Sequence, residues 1–303
     1  MQVVTQSNQI QLISNGYALS TAPNRLGRLI PSDPAQPLET LREQLRAQGY
    51  LWLKGFLDRE VVLALRRRYF ELMLPLGLIQ PGTDLAEGVH SGEKDATGQH
   101  QKLLMEFVRS AAYESFCLQP RLWQFYDAFM QGASYLHKRK LVRDTFPGDP
   151  HCTGAHYDLI YLRGGTDTVL TSWIPLGDTP VEMGGLVYLE NSDVLGRKFE
   201  AEFATKNADL SPEERISAYN KNMKGGWLNT NLPVLADRAD SRWLIADYEA
   251  GDMVIHTAYM VHAATMNDDS QRRIRLSTDI RYQRVRDEID ARWANHWSLD
   301  DML

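Results

Sequence analysis

The chain has 303 residues, 43% hydrophobic and 24% charged, with a formal net charge of -6 and a pI near 5.8. That balance suits a globular chain with a sizeable core and argues against non-specific nucleic-acid binding. Two cysteines are too few for a disulfide framework, no apolar run reaches the ~18 residues of a membrane helix, and the start MQVVTQSNQIQLISNG lacks the basic and apolar regions of a signal peptide, so a soluble cytoplasmic protein is expected.

Residues 1–36 are largely polar and read as a loosely held segment. Pro31, Pro34 and Pro37 lead into a helix over 38–48, with Leu38, Leu41 and Leu45 on one stripe and Gly49 as its stop. Residues 50–57 read as a strand, and Asp58 as the N-cap of a helix running to about Leu74. A Gly-, Asp- and His-rich loop over 78–100 precedes two helices, 101–117 and 120–131. From 133 the pattern turns to strands over 133–142, 154–162, 167–174, 186–190, 251–260 and 273–285, punctuated by glycine and proline turns. A helical insertion spans 191–250, with Ser211-Pro212-Glu213-Glu214 as a capping box and Gly225 as a stop. The expected architecture is mainly β with flanking helices, in one domain over 1–303. Its core is a double-stranded β-helix, or jelly-roll, with N-terminal helices and an insertion able to serve as a lid.

Within this frame His156-Tyr157-Asp158 sits on a predicted strand, where residues two apart share a face. His262 lies about a hundred residues later. Two histidines and one carboxylate make the facial triad of non-haem iron(II) oxygenases, leaving coordination positions open for a co-substrate and O₂. His256 competes with His262 for the distal position, and His262 is preferred because Asn267 and Arg273 follow it. On the last strand Arg273, Arg275, Ser277, Asp279 and Arg281 share one face, which in the plainest reading is merely solvated. Lys138, Arg139 and Lys140 with Arg143 read as a basic strand edge within reach of an acidic ligand.

These pieces resemble the phytanoyl-CoA dioxygenase-like branch of the Fe(II)/2-oxoglutarate-dependent oxygenases over roughly residues 49–283. The matching residues are His156 and Asp158, the stretch Trp173-Ile174-Pro175-Leu176-Gly177-Asp178, the stretch Gly184 to Ser192, the Gly251-Asp252 turn, His262 with Asn267, and Arg273. The family's G-S-H is replaced here by Asn191-Ser192-Asp193, at a position that is not a metal ligand. The resemblance implies Fe(II) held by His156, Asp158 and His262, 2-oxoglutarate as co-substrate and O₂ as oxidant. It puts the 2-oxoglutarate carboxylate on Arg273, with Arg275 of an R-x-S clamp as runner-up, and makes Trp173 part of the co-substrate pocket. A carboxylate at 158 implies hydroxylation, desaturation or ring closure of a small organic substrate rather than halogenation. The competing reading is a cupin-like metal-binding protein that does not use 2-oxoglutarate.

Overall fold

The computed structural model describes residues 11–211, 214 and 227–298. A hairpin, β1 (Ile13–Ser14) and β2 (Tyr17–Ala18), precedes two sheets that pack face to face. The larger runs β4 (Pro31–Ser32), β5 (Tyr50–Leu53), β11 (Met253–Thr257), β8 (Leu170–Pro175), β13 (Arg275–Arg284), β6 (Ser134–Leu136), with β7 (Leu141–Thr145) also paired to β13. The smaller runs β12 (His262–Ala264), β9 (Leu186–Leu189), β10 (Trp243–Ile245), β3 (Leu26–Arg28). Between the sheets Trp52, Trp173 and Val254 meet Leu186, Tyr188 and Leu244. Burial of side chains this large stabilises the fold by about 1.5–3 kcal/mol each. This is the expected jelly-roll.

Helices α1 (Leu38–Gln48), α2 (Arg59–Met73), α3 (His100–Val108), α4 (Ala111–Cys117) and α5 (Pro120–Phe129) cover the outer face of the larger sheet. Helix α1 buries Leu41 and Leu45 and stops at Gly49, whose φ of 77° favours glycine and whose N–H closes on the Leu45 carbonyl at 2.8 Å. A Cβ at Gly49 would meet Met260 Sδ at 2.7 Å, so the position is constrained by space as well. Asp58 caps α2 as expected, accepting from Glu60 N and Val61 N. The single helix predicted over 101–117 is two, because Ser110 accepts from Tyr113 N and starts α4.

Strand β13 decides what faces the interior. Ile274, Leu276, Ile280 and Tyr282 pack under the helices, which turns Arg275, Ser277, Asp279 and Arg281 into the sandwich. All four are buried, at 4%, 0%, 8% and 4% exposure, so the charged face is not a solvated one.

Several boundaries differ from the sequence reading. The strand predicted over 133–142 breaks at the basic run, where Lys140 turns to Glu114 at 2.6 Å and Arg139 lies over Trp293. Residues 11–32 are not loosely held: Ser14 Oγ donates to the Ala264 carbonyl at 2.8 Å, and Leu12, Leu19 and Leu29 are buried. Backbone pairing ties this segment down without the apolar periodicity a sequence reading looks for. The 191–250 stretch contains α7 (Ser192–Lys206) and α8 (Leu232–Arg238), but its end, β10, belongs to the smaller sheet. The Ser211–Glu214 capping box is present in both directions, at 2.9 and 3.2 Å, while the stop expected at Gly225 lies outside the described residues.

Candidate metal centre

His156 and His262 form an antiparallel bridge, each N–H donating to the other's carbonyl at 3.0 and 2.9 Å. Such a pair carries both side chains on one face, and the ring centroids lie 4.3 Å apart. Asp158 joins them by a route the sequence did not suggest. The chain leaves its extended course there, with Asp158 itself in the right-handed helical region, and Leu159–Leu162 forms one helical turn, α6. A four-residue apolar run does not distinguish strand from helix by periodicity. The turn still brings Asp158 Oδ1 to 3.7 Å from Nε2 of each histidine. Donor atoms of the three residues all lie within 4.8 Å of one another.

The surroundings fix which atoms point inward. Nδ1 of His156 donates to the Gly154 carbonyl and Nδ1 of His262 to that of Met260, both at 2.9 Å. That arrangement sets the tautomer and leaves Nε2 with its lone pair free. Asp158 Oδ2 accepts from Thr171 Oγ1, from Arg281 at 3.2 Å and from His256 Nε2 at 3.3 Å, while Oδ1 faces the histidines. Burial would raise the Asp158 carboxyl, but Arg281 and the hydrogen bond from His256 hold it well below the usual carboxylate range. Burial lowers both His156 and His262, the latter well below its ordinary value. Two neutral imidazoles and one carboxylate are the protonation states a divalent cation needs. His256 does not join them: its Nδ1 meets the Tyr188 hydroxyl at 2.8 Å, so it steadies Asp158 from behind.

Beside the centre, a cavity of about 250 Å³ is lined by Arg143, Asp144 and Thr145 of β7, by Thr153 and Ala264 next to the histidine strands, and by Arg275. Arg275 reaches the Gly184 carbonyl and, at 2.7 Å, Thr145 Oγ1. Its Nε and the neighbouring Ser277 Oγ are buried without a hydrogen-bond partner. Burial lowers the Arg275 guanidinium to about 10, which keeps it charged at neutral pH. Arg273, the first choice from the sequence, is turned away: it grips Asp269 at 2.7 and 3.0 Å and lines a different cleft, with Arg59, Arg66 and Asp178. Trp173 is inside the sandwich, 4.7 Å from the Tyr248 ring, and does not line the Arg275 cavity.

The profile of the phytanoyl-CoA dioxygenase family matches residues 45–275. The chain belongs to that family. It is an iron- and 2-oxoglutarate-dependent oxygenase acting on a small organic substrate. It is 24% identical over 246 residues to a 1-deoxypentalenic acid 11-beta-hydroxylase from Streptomyces arenae, an alignment covering 78% of this chain and 77% of the relative. The same enzyme from Streptomyces exfoliatus is 25% identical over 244 residues, with the same coverage. In fold the chain is similar to the epimerase SnoN in complex with Fe3+, alpha ketoglutarate and nogalamycin RO, with TM-score 0.53, 19% identity and coverage of 83% and 85% of the two chains. It is similar too to EctD from S. alaskensis with 2-oxoglutarate and 5-hydroxyectoine, with TM-score 0.51, 12% identity and coverage of 88% and 84%.

For this member of the phytanoyl-CoA dioxygenase family, sequence reasoning missed the residues that hold Asp158. Arg281 carried a signal, lying on the same strand face as Arg275, whereas Thr171 carried none. Trp227 and Trp243 are both tryptophans of the insertion, but only Trp227 packs two residues from a candidate ligand: a Cβ on Gly154 would meet its ring at 2.7 Å. Trp243 is a core residue of β10, donating to the Leu232 carbonyl at 2.9 Å. Among the described residues no helix is long and apolar enough to cross a membrane.

Proposed function

We propose that His156, Asp158 and His262 hold the iron(II) and that Arg275, with Thr145 and Ser277, takes the distal carboxylate of 2-oxoglutarate. The observation carrying this reading is the pairing of three convergent donor atoms with a buried guanidinium and hydroxyl that still have unused donors. When bound, the metal supplies the O₂ activation that couples decarboxylation of 2-oxoglutarate to oxidation of a substrate C–H bond. The chain's own residues do the rest. The backbone carbonyls of Gly154 and Met260 hold the imidazole tautomers, and Arg281, Thr171 and His256 hold one oxygen of Asp158 so that the other stays directed at the histidines. Tyr188, Trp173 and Val254 fill the interior behind them and keep it dry. With Asp158 filling the third ligand position, the outcome we favour is hydroxylation, the activity named for the two Streptomyces relatives.

The reading is tested by titrating anaerobic, Fe(II)-loaded protein with 2-oxoglutarate and then admitting O₂. Saturable binding visible as a charge-transfer absorption, followed by Fe(II)-dependent succinate release, is expected. Protein that takes up Fe(II) yet neither binds 2-oxoglutarate nor releases succinate would leave only the metal-binding jelly-roll.

We propose that the part of the 191–250 segment outside α8 and β10 serves as the substrate lid. The segment's return at Leu228 and Asn229 is bridged to the residue before His156, Leu228 N to the Ala155 carbonyl at 2.7 Å and Ala155 N to the Asn229 carbonyl at 2.9 Å, with Trp227 against Gly154. Trp227→Ala should raise the substrate KM roughly fivefold, the equivalent of about 1 kcal/mol for a lost aromatic contact, well beyond any change in 2-oxoglutarate affinity. Parallel losses in both constants would instead make Trp227 a structural prop.

A further inference from the structure

The interior of the sandwich holds more positive charge than the co-substrate uses. Three arginines, Arg143, Arg275 and Arg281, face it, against two carboxylates, Asp158 and Asp279. Asp144, the other acid on the cavity, is engaged from the helix side by Tyr69 and by His100 at 2.5 Å. A divalent cation and a dianionic co-substrate cancel, so one positive charge is left over. An excess of one sign of charge around a concave site draws the opposite ion to it, so the site is complementary to an anion.

The surplus falls on Arg143. Arg281 is committed to Asp158 and lies beneath Trp293, its guanidinium 4.5 Å from that ring, while Arg275 is placed by the co-substrate reading. Arg143 stands opposite Ser277 in the β7–β13 register, so it faces inward between those two arginines. Among the described residues only its Nε is hydrogen-bonded, donating to Asp279 Oδ2 at 2.9 Å, and both terminal nitrogens are left over. The side chain, 40% exposed, lines the cavity. The cavity's other walls, Thr153 and Ala264, lie three residues before His156 and two after His262, so the cavity that Arg143 lines adjoins both histidine segments. A planar fork with two free N–H edges in a concave site suits a carboxylate.

We propose that the substrate carries a carboxylate and that Arg143 binds it through its terminal nitrogens, fixing which C–H bond is presented to the metal centre. The assignment rests on the oxygenase reading above. It is tested by calorimetry on anaerobic protein loaded with Fe(II) and 2-oxoglutarate, against a panel of monocyclic and bicyclic carboxylic acids, each matched with its methyl ester and primary amide. Acids that bind at least about tenfold more tightly than their neutral partners are expected, with the preference lost in Arg143→Gln and partly kept in Arg143→Lys. Thermal unfolding of both variants checks that they are folded. An acid preference that survives Arg143→Gln, equal binding of acids and esters, or no acid bound at all overturns the proposal. So does loss of 2-oxoglutarate binding in Arg143→Gln to the extent seen in Arg275→Leu, since Arg143 would then serve the co-substrate. Wild-type protein that fails to bind 2-oxoglutarate sinks the oxygenase reading itself, a result distinct from all of these.

Discussion

His262→Ala is expected to leave a folded protein that no longer retains iron(II). The change removes one of three converging donors but keeps the Asp158–Arg281 pair that neutralises the buried carboxylate. His256→Ala removes only a partner of Asp158, and losses of that kind cost about 10–100-fold in metal affinity. His262→Ala should exceed that range. Asp158→Ala should fail in a second way as well, because it strands Arg281, 4% exposed, without its counter-charge. Breaking a buried pair from one side costs roughly 3–5 kcal/mol. Metal content after dialysis against excess Fe(II) and denaturant unfolding of the same samples separate the two effects. If His256→Ala empties the site while His262→Ala stays loaded, the distal ligand has been misassigned. If Asp158→Ala unfolds no more easily than His262→Ala, Arg281 does not depend on it.

Arg275→Leu should abolish most 2-oxoglutarate affinity with little change in iron affinity. Truncating one side of a desolvated, charge-assisted pair costs roughly 2–5 kcal/mol, a rise in Kd of roughly thirtyfold to several thousandfold. Arg273→Leu should behave differently despite lying only two residues away. It leaves Asp269 buried and unpaired, so its penalty, about 1–3 kcal/mol, should appear in unfolding rather than in co-substrate binding. Anaerobic titration of the Fe(II)-loaded variants measures both. A large Kd change in Arg273→Leu with none in Arg275→Leu would return the role to the residue that the family offset first indicated.

The placement of these two arginines shows how far a sequence reading carries. Alternation on β13 correctly put Arg275, Ser277, Asp279 and Arg281 on one face, since a strand's period is fixed by its pleat. Which arginine lies above the cavity depends on Asp269, which pulls Arg273 aside, and on Thr145 of a neighbouring strand, which receives Arg275. Those are long-range facts with no local signal. The same holds at Asp158. Its nearness to His156 was legible from the spacing, but the helical turn that delivers it was not, because Leu159, Ile160 and Leu162 suit either conformation. Helices α1 and α2 were readable because a stripe of leucines and a capping aspartate act within one element. The strands at 26–32 and 243–245 were not, because they are held by backbone pairing to partners in other parts of the chain.

The two backbone bonds that join His156 to His262 carry one more consequence. Together with the carbonyls that hold each ring and the three groups behind Asp158, they fix the donor set through bonds within the chain itself. A donor set held this way asks less of the metal than a zinc finger's, whose ligands gather only as metal arrives. A scaffold this complete binds through nitrogen and oxygen donors that intrinsically rank nickel and copper above ferrous iron. Selection of iron(II) over those cations then rests on coordination geometry and metal supply more than on the donor types.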